Sequence, residues 1–84
     1  MEPTTLLGFI AGLFTTVAFV PQVHRIWKTR SAKDVSLPAF VVFTIGVALW
    51  MAYGIVLREP AITLWNAVTL AISVAILWMK IRFG

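Results

Sequence analysis

Three stretches without a single charged residue, Pro3 to Val23, Val35 to Leu57 and Pro60 to Met79, occupy most of the 84 residues. The hydrocarbon core of a bilayer is about 30 Å thick, and a helix rising about 1.5 Å per residue crosses it in roughly 20 residues. Each stretch meets that length. Charged residues make up 12% of the chain and apolar residues 61%, far from the roughly 25% charge of an ordinary soluble domain. A soluble chain this small has too little interior to hide three wholly apolar helices. The sequence therefore predicts an all-α membrane protein, a single three-helix domain over residues 1–84 with spans at about 4–27, 36–57 and 60–80.

Internal charge is confined to His24 through Asp34 and to the pair Arg58 and Glu59, which leaves no linker or second domain. The opening Met1-Glu2-Pro3 lacks the basic n-region of a secretory signal, so the first span is expected to stay in place. With no cysteine, disulfides, thiol catalysis and cysteine metal sites are excluded. His24, alone beside Arg25 at a helix end, reads as a surface residue, and no metal or cofactor is expected. No nucleophile and base, carboxylate dyad or metal cluster shares a membrane depth, which argues against an enzyme.

The net charge of +4 does not point to nucleic acid, because the basic residues flank the spans without interleaved aromatics to stack bases. Membrane topology explains them better. Arg25, Lys28, Arg30 and Lys33 fill the first loop and Lys80 and Arg82 follow the last span, while the second loop holds only Arg58. Positive charge collects on the cytoplasmic side. The expected arrangement has the N-terminus outside and the C-terminus in the cytoplasm, with Trp27 and Trp78 in the inner aromatic belt.

Depth separates the polar residues of the spans. At about 1.5 Å per residue, Trp50 lies about 6 Å and Asn66 about 5 Å outward of their span centres, so the two share a level. A carboxamide there must find protein or water, because lipid offers no partner. Thr69 and Ser73 follow Asn66 at i+3 and i+7 on one face. By itself that stripe reads first as glue between helices, at roughly 1 kcal/mol per hydrogen bond. The shared level of Trp50 narrows the gap to a pocket, with simple packing of the tryptophan as the alternative, because an aromatic face beside an amide suits the C–H faces and hydroxyls of a neutral polyol such as a sugar. The spans lack the arginine or lysine an anion would need and the Asp, Glu or His chain of a proton-coupled pump. Passive transport fits better.

Three helices cannot enclose a polar passage, so a path would have to lie between protomers. A homodimer about an axis along the membrane normal is the minimal arrangement. The small residues of Gly8-Phe9-Ile10-Ala11-Gly12 and of Ala67, Ala71 and Ala75 permit close helix approach, between protomers or within one. Pro21, with Gln22 beside it, cannot donate to the carbonyl of Val17, and a kink or joint is expected there.

The run Thr15-Thr16-Val17-Ala18-Phe19-Val20-Pro21-Gln22 resembles the signature of the PQ-loop family. The basic loop after it, then Gly46, Trp50 and Tyr53-Gly54, then Asn66-Ala67 with Thr69, resemble the bacterial SemiSWEET sugar transporters over nearly the whole chain. The resemblance implies a bundle whose third helix packs between the first two, paired as a parallel homodimer of six helices that moves mono- or disaccharides down their gradient by alternating access. It implies a central sugar pocket lined by Trp50 and Asn66 and a hinge at Pro21 and Gln22. An outer gate falls on Tyr53 with Arg58 and Glu59, although glutamate stands where aspartate is common and the arginine is displaced by a residue. An inner gate of aromatic residues falls on Phe43 and Phe40, which share the Trp50 face. A PQ-loop carrier of another metabolite and a non-transporting membrane assembly subunit remain the alternatives.

Overall fold

The computed structural model describes residues 2–84. It contains α1 (Pro3–Val17), α2 (Phe19–Thr29), α3 (Leu37–Leu57) and α4 (Pro60–Phe83). Proline sits in the first turn of α1, α3 and α4, where its missing N–H would have had no helical partner. The Ser36 hydroxyl adds a cap to α3, accepting from the Ala39 N–H at 3.4 Å. Together α1 and α2 make one 27-residue span, Pro3–Thr29, beside spans of 21 and 24 residues. The long axis of the molecule measures 43 Å, which matches a bilayer with its headgroups at about 40–45 Å.

The first span is divided at Ala18, directly between α1 and α2. Ala18 keeps helical angles and still donates to Phe14 O at 3.3 Å. Pro21, in the first turn of α2, removes the donor that would have reached Val17. The helix is therefore interrupted where the proline predicts, one turn before it.

The helix α4 packs against α1, α2 and α3, while α3 packs against neither α1 nor α2. The last span thus lies between the first two, as expected. Close approach depends on glycine. A Cβ on Gly8 would stand 3.1 Å from that of Ala61, and one on Gly12 would overlap the Trp65 indole. At Gly54 it would stand 2.8 Å from both Ile62 Cγ2 and Thr63 Oγ1 and 2.9 Å from the Thr63 backbone N. The glycine pair of the first span therefore serves packing within the protomer. Ala67, Ala71 and Ala75 of α4 are exposed.

A compact core forms only at the basic end, where Ile26 of α2 meets Ile76 and Met79 of α4. The connection after α2 is part of it. Ala32 and Val35 turn inward to 2% and 7% exposure, and Lys80 Nζ donates to Ala32 O at 3.0 Å. Elsewhere Val47 and Ala61 are buried but most large apolar side chains face outward, with Phe14, Val42 and Val56 more than two-thirds exposed. Such surfaces require lipid or another protein chain around them. This is a multi-pass membrane protein.

Gly12→Ala should lower stability by about 1–3 kcal/mol, because the indole of Trp65 must move. Nothing lies within 4 Å of a Cβ at Gly46, so Gly46→Ala should leave the protomer as stable as before. Unfolding midpoints in mixed micelles compare the two, and equal losses would contradict this packing.

Candidate substrate-binding site

The polar stripe of α4 faces the gap between α1 and α3. Thr69 meets Thr16 of α1 through their hydroxyls at 3.4 Å. One turn further, Ser73 is 1% exposed and bonded to Thr44 of α3, which itself donates to Phe40 O at 2.7 Å. With the Thr44 proton engaged there, Ser73 is the donor of the pair. Both residues join helices.

Asn66 differs. Its Nδ2 donates to Ile62 O, one turn back on the same helix, at 2.8 Å. Among the described residues its amide makes no other hydrogen bond, leaving one N–H and the carbonyl oxygen with both lone pairs unused. It lines a recess of about 220 Å³ with Gly8, Gly12, Thr15, Trp65 and Thr69. Gly8 and Gly12 let Ala61 and Trp65 of α4 approach closely on this side of the recess.

Trp50 and Tyr53 stand on α3, one turn apart, their rings edge to face with centroids 5.3 Å apart. Trp50 is 57% exposed and lines a second recess of about 300 Å³ with Gly46, Leu49 and Tyr53. Trp50 and Asn66 do not share a recess within one protomer.

At the other proposed positions, Pro21 and Gln22 lie in the first turn and a half of α2, below the break. Arg58 and Glu59 form the whole connection between α3 and α4. Arg58 adopts left-handed angles (φ 57°) and its N–H caps α3 at Ile55 O, while the Glu59 N–H returns to Gly54 O at 2.9 Å. Among the described residues neither side chain forms an ion pair; the only one is Arg25 with Asp34, at 3.3 Å. Phe40 and Phe43 stack with centroids 5.3 Å apart, and Phe19 of α2 joins Phe43 at 5.7 Å. The ring contact of Phe19 bridges two helices whose backbones do not pack. Sequence reasoning did not single out Phe19, although its place two residues before Pro21 was a signal.

A family model described as sugar efflux transporter for intercellular exchange matches residues 5–83. The chain belongs to that family. Relatives include the sugar transporter SemiSWEET of Bradyrhizobium diazoefficiens, 46% identical over 94% of this chain and 92% of its own length. That of Leptospira biflexa is 40% identical over 94% and 93%. A crystal structure of a bacterial homologue of SWEET transporters superposes with a TM-score of 0.93 at 43% identity, covering 99% of this chain and all of that one. A SemiSWEET structure in the inward-open conformation gives 0.88 at 33% identity, covering 96% and 94%.

Along α4, two hydroxyls tie helices together and one amide is left over. Ser73→Ala and Thr69→Val should each lower stability by about 0.6–1.5 kcal/mol. Asn66→Ala, which breaks only a bond within its own helix, should change it by less than about 0.5 kcal/mol. The same unfolding assay tests this order, and a larger loss at Asn66 would show that it too holds helices together.

Proposed function

We propose that this protein carries mono- or disaccharides across a bacterial inner membrane by facilitated diffusion, as a parallel homodimer that opens alternately to each side. The observation that carries the reading is the pair of unused groups inside charge-free spans, the exposed ring of Trp50 and the amide of Asn66. A ring covers the C–H face of a sugar, and an amide both donates to and accepts from its hydroxyls. Family membership and the names of its relatives support sugar as the substrate class.

A protomer has its two recesses on different helices and no enclosed passage. In the dimer, Trp50 and Asn66 of both copies surround one central cavity. The N-terminus lies outside and the basic end in the cytoplasm, following the excess of Lys and Arg. The break at Ala18 serves as hinge through Pro21 and Gln22. Phe40 and Phe43 close the inner side, and Tyr53 with Arg58 and Glu59 closes the outer side, the charged pair acting across the dimer axis. No step calls for catalysis or a cofactor.

Liposomes containing the purified protein should take up labelled glucose or sucrose saturably without an ion gradient. Trp50→Ala and Asn66→Ala should each slow uptake about tenfold or more while the dimer persists, since a lost polar or stacking contact is worth about 1–3 kcal/mol. Unchanged uptake would sink the assigned pocket, and entry of neither sugar would sink the substrate class. Pro21→Ala restores the missing donor to Val17 O. It should slow exchange several-fold and raise the unfolding midpoint, and an equally fast variant would remove the hinge assignment.

A further inference from the structure

The basic end carries a guanidinium with no acidic partner. Arg30 ends α2 in the left-handed conformation (φ 56°), which disfavours a residue bearing Cβ. Its Cζ lies 4.0 Å from the centroid of Trp27 and 5.4 Å from that of Phe83. Stacking occupies the flat face of the guanidinium, and among the described residues its in-plane N–H fork has no hydrogen-bond partner. Asp34 is the only acid at this end, and it is paired with Arg25.

Trp27 also walls an apolar groove of about 350 Å³ between α2 and α4, lined by Val20, Val23, His24, Trp27 and Ile72. Ile72 and Asn66 are six residues apart on α4, which sets them about 120° apart around the helix, so the groove lies away from the sugar recess. The groove follows α2 from Val20 to Trp27, and Arg30 stacks on Trp27 at that end.

We propose that this groove binds an anionic phospholipid of the leaflet on the basic side, with an acyl chain against Val20, Val23 and Ile72 and the phosphate held by the fork of Arg30. Phosphate matches the planar, bidentate donors. The unpaired charge of Arg30 favours a net negative headgroup over a zwitterionic one, whose own cation it repels. The site is independent of the transport reading.

Native mass spectrometry of the full-length protein, in detergent with equal amounts of phosphatidylglycerol and phosphatidylcholine, tests it. The wild type should retain phosphatidylglycerol over phosphatidylcholine about fivefold, the scale of one well-placed cation at a membrane surface. Arg30→Gly removes the fork and suits the left-handed backbone, so the protein folds and the preference falls to near parity. Arg82→Gln, the same loss of charge without the Trp27 stack, should keep it. Excess inorganic phosphate should leave the lipid bound. No preference in the wild type, an equal loss in both variants, or displacement by phosphate alone would each overturn the site.

Discussion

A polar group in hydrocarbon has no solvent to fall back on, and this single constraint organises the molecule. It makes the spans helical, because only a helix satisfies its backbone within one segment. It also sorts the side chains. Thr16, Thr44, Thr69 and Ser73 answer one another across helix contacts, whereas Thr15 and Thr63 turn back on their own backbone. Asn66 has one donor more and one acceptor more than its own helix can use. A protein can keep such a residue at mid-membrane only if something polar visits it, whether water or a substrate hydroxyl.

The same absence of water removes the hydrophobic drive between helices, leaving contact itself as the cohesive force. Glycine therefore does the work that leucine does in a soluble core. Gly12 admits the indole of Trp65, and Gly54 brings α3 within reach of Thr63 at the start of α4. Both contacts lie toward the end of the bundle away from the loop core. The basic end is held differently, by an apolar cluster to which the connecting loop contributes Ala32 and Val35.

Much of this was legible in the sequence, because hydropathy and length speak directly to a bilayer. The three spans, the break near Pro21 and the order of the helices follow from local chemistry or from family resemblance. Other features depend on how α4 is rotated, which no local pattern reports. The stripe of Asn66, Thr69 and Ser73 looked uniform, yet two of its members bond to different helices and one to neither. Trp65, the immediate neighbour of Asn66, passed without notice although it fills the notch at Gly12. Ala32 and Val35 sit among charged loop residues, so their burial could not be read from composition. The Phe19 contact with Phe43 joins residues whose helix backbones do not pack on one another.

The connections differ in stiffness. Between α3 and α4 there are two residues, both fixed by backbone hydrogen bonds to the preceding helix, so these helices form one rigid hairpin. The first span has a joint within it at Ala18. An 11-residue α2 is about 16 Å long, and a 10° tilt about that joint would carry its far end about 3 Å. That moves Ile26 and Trp27 most and Phe19, beside the joint, least, while leaving α1 seated on Trp65. The proposed hinge would divide the protomer into a frame of α1, α3 and α4 and a lever of α2, with the loop core as the clasp its stroke must loosen.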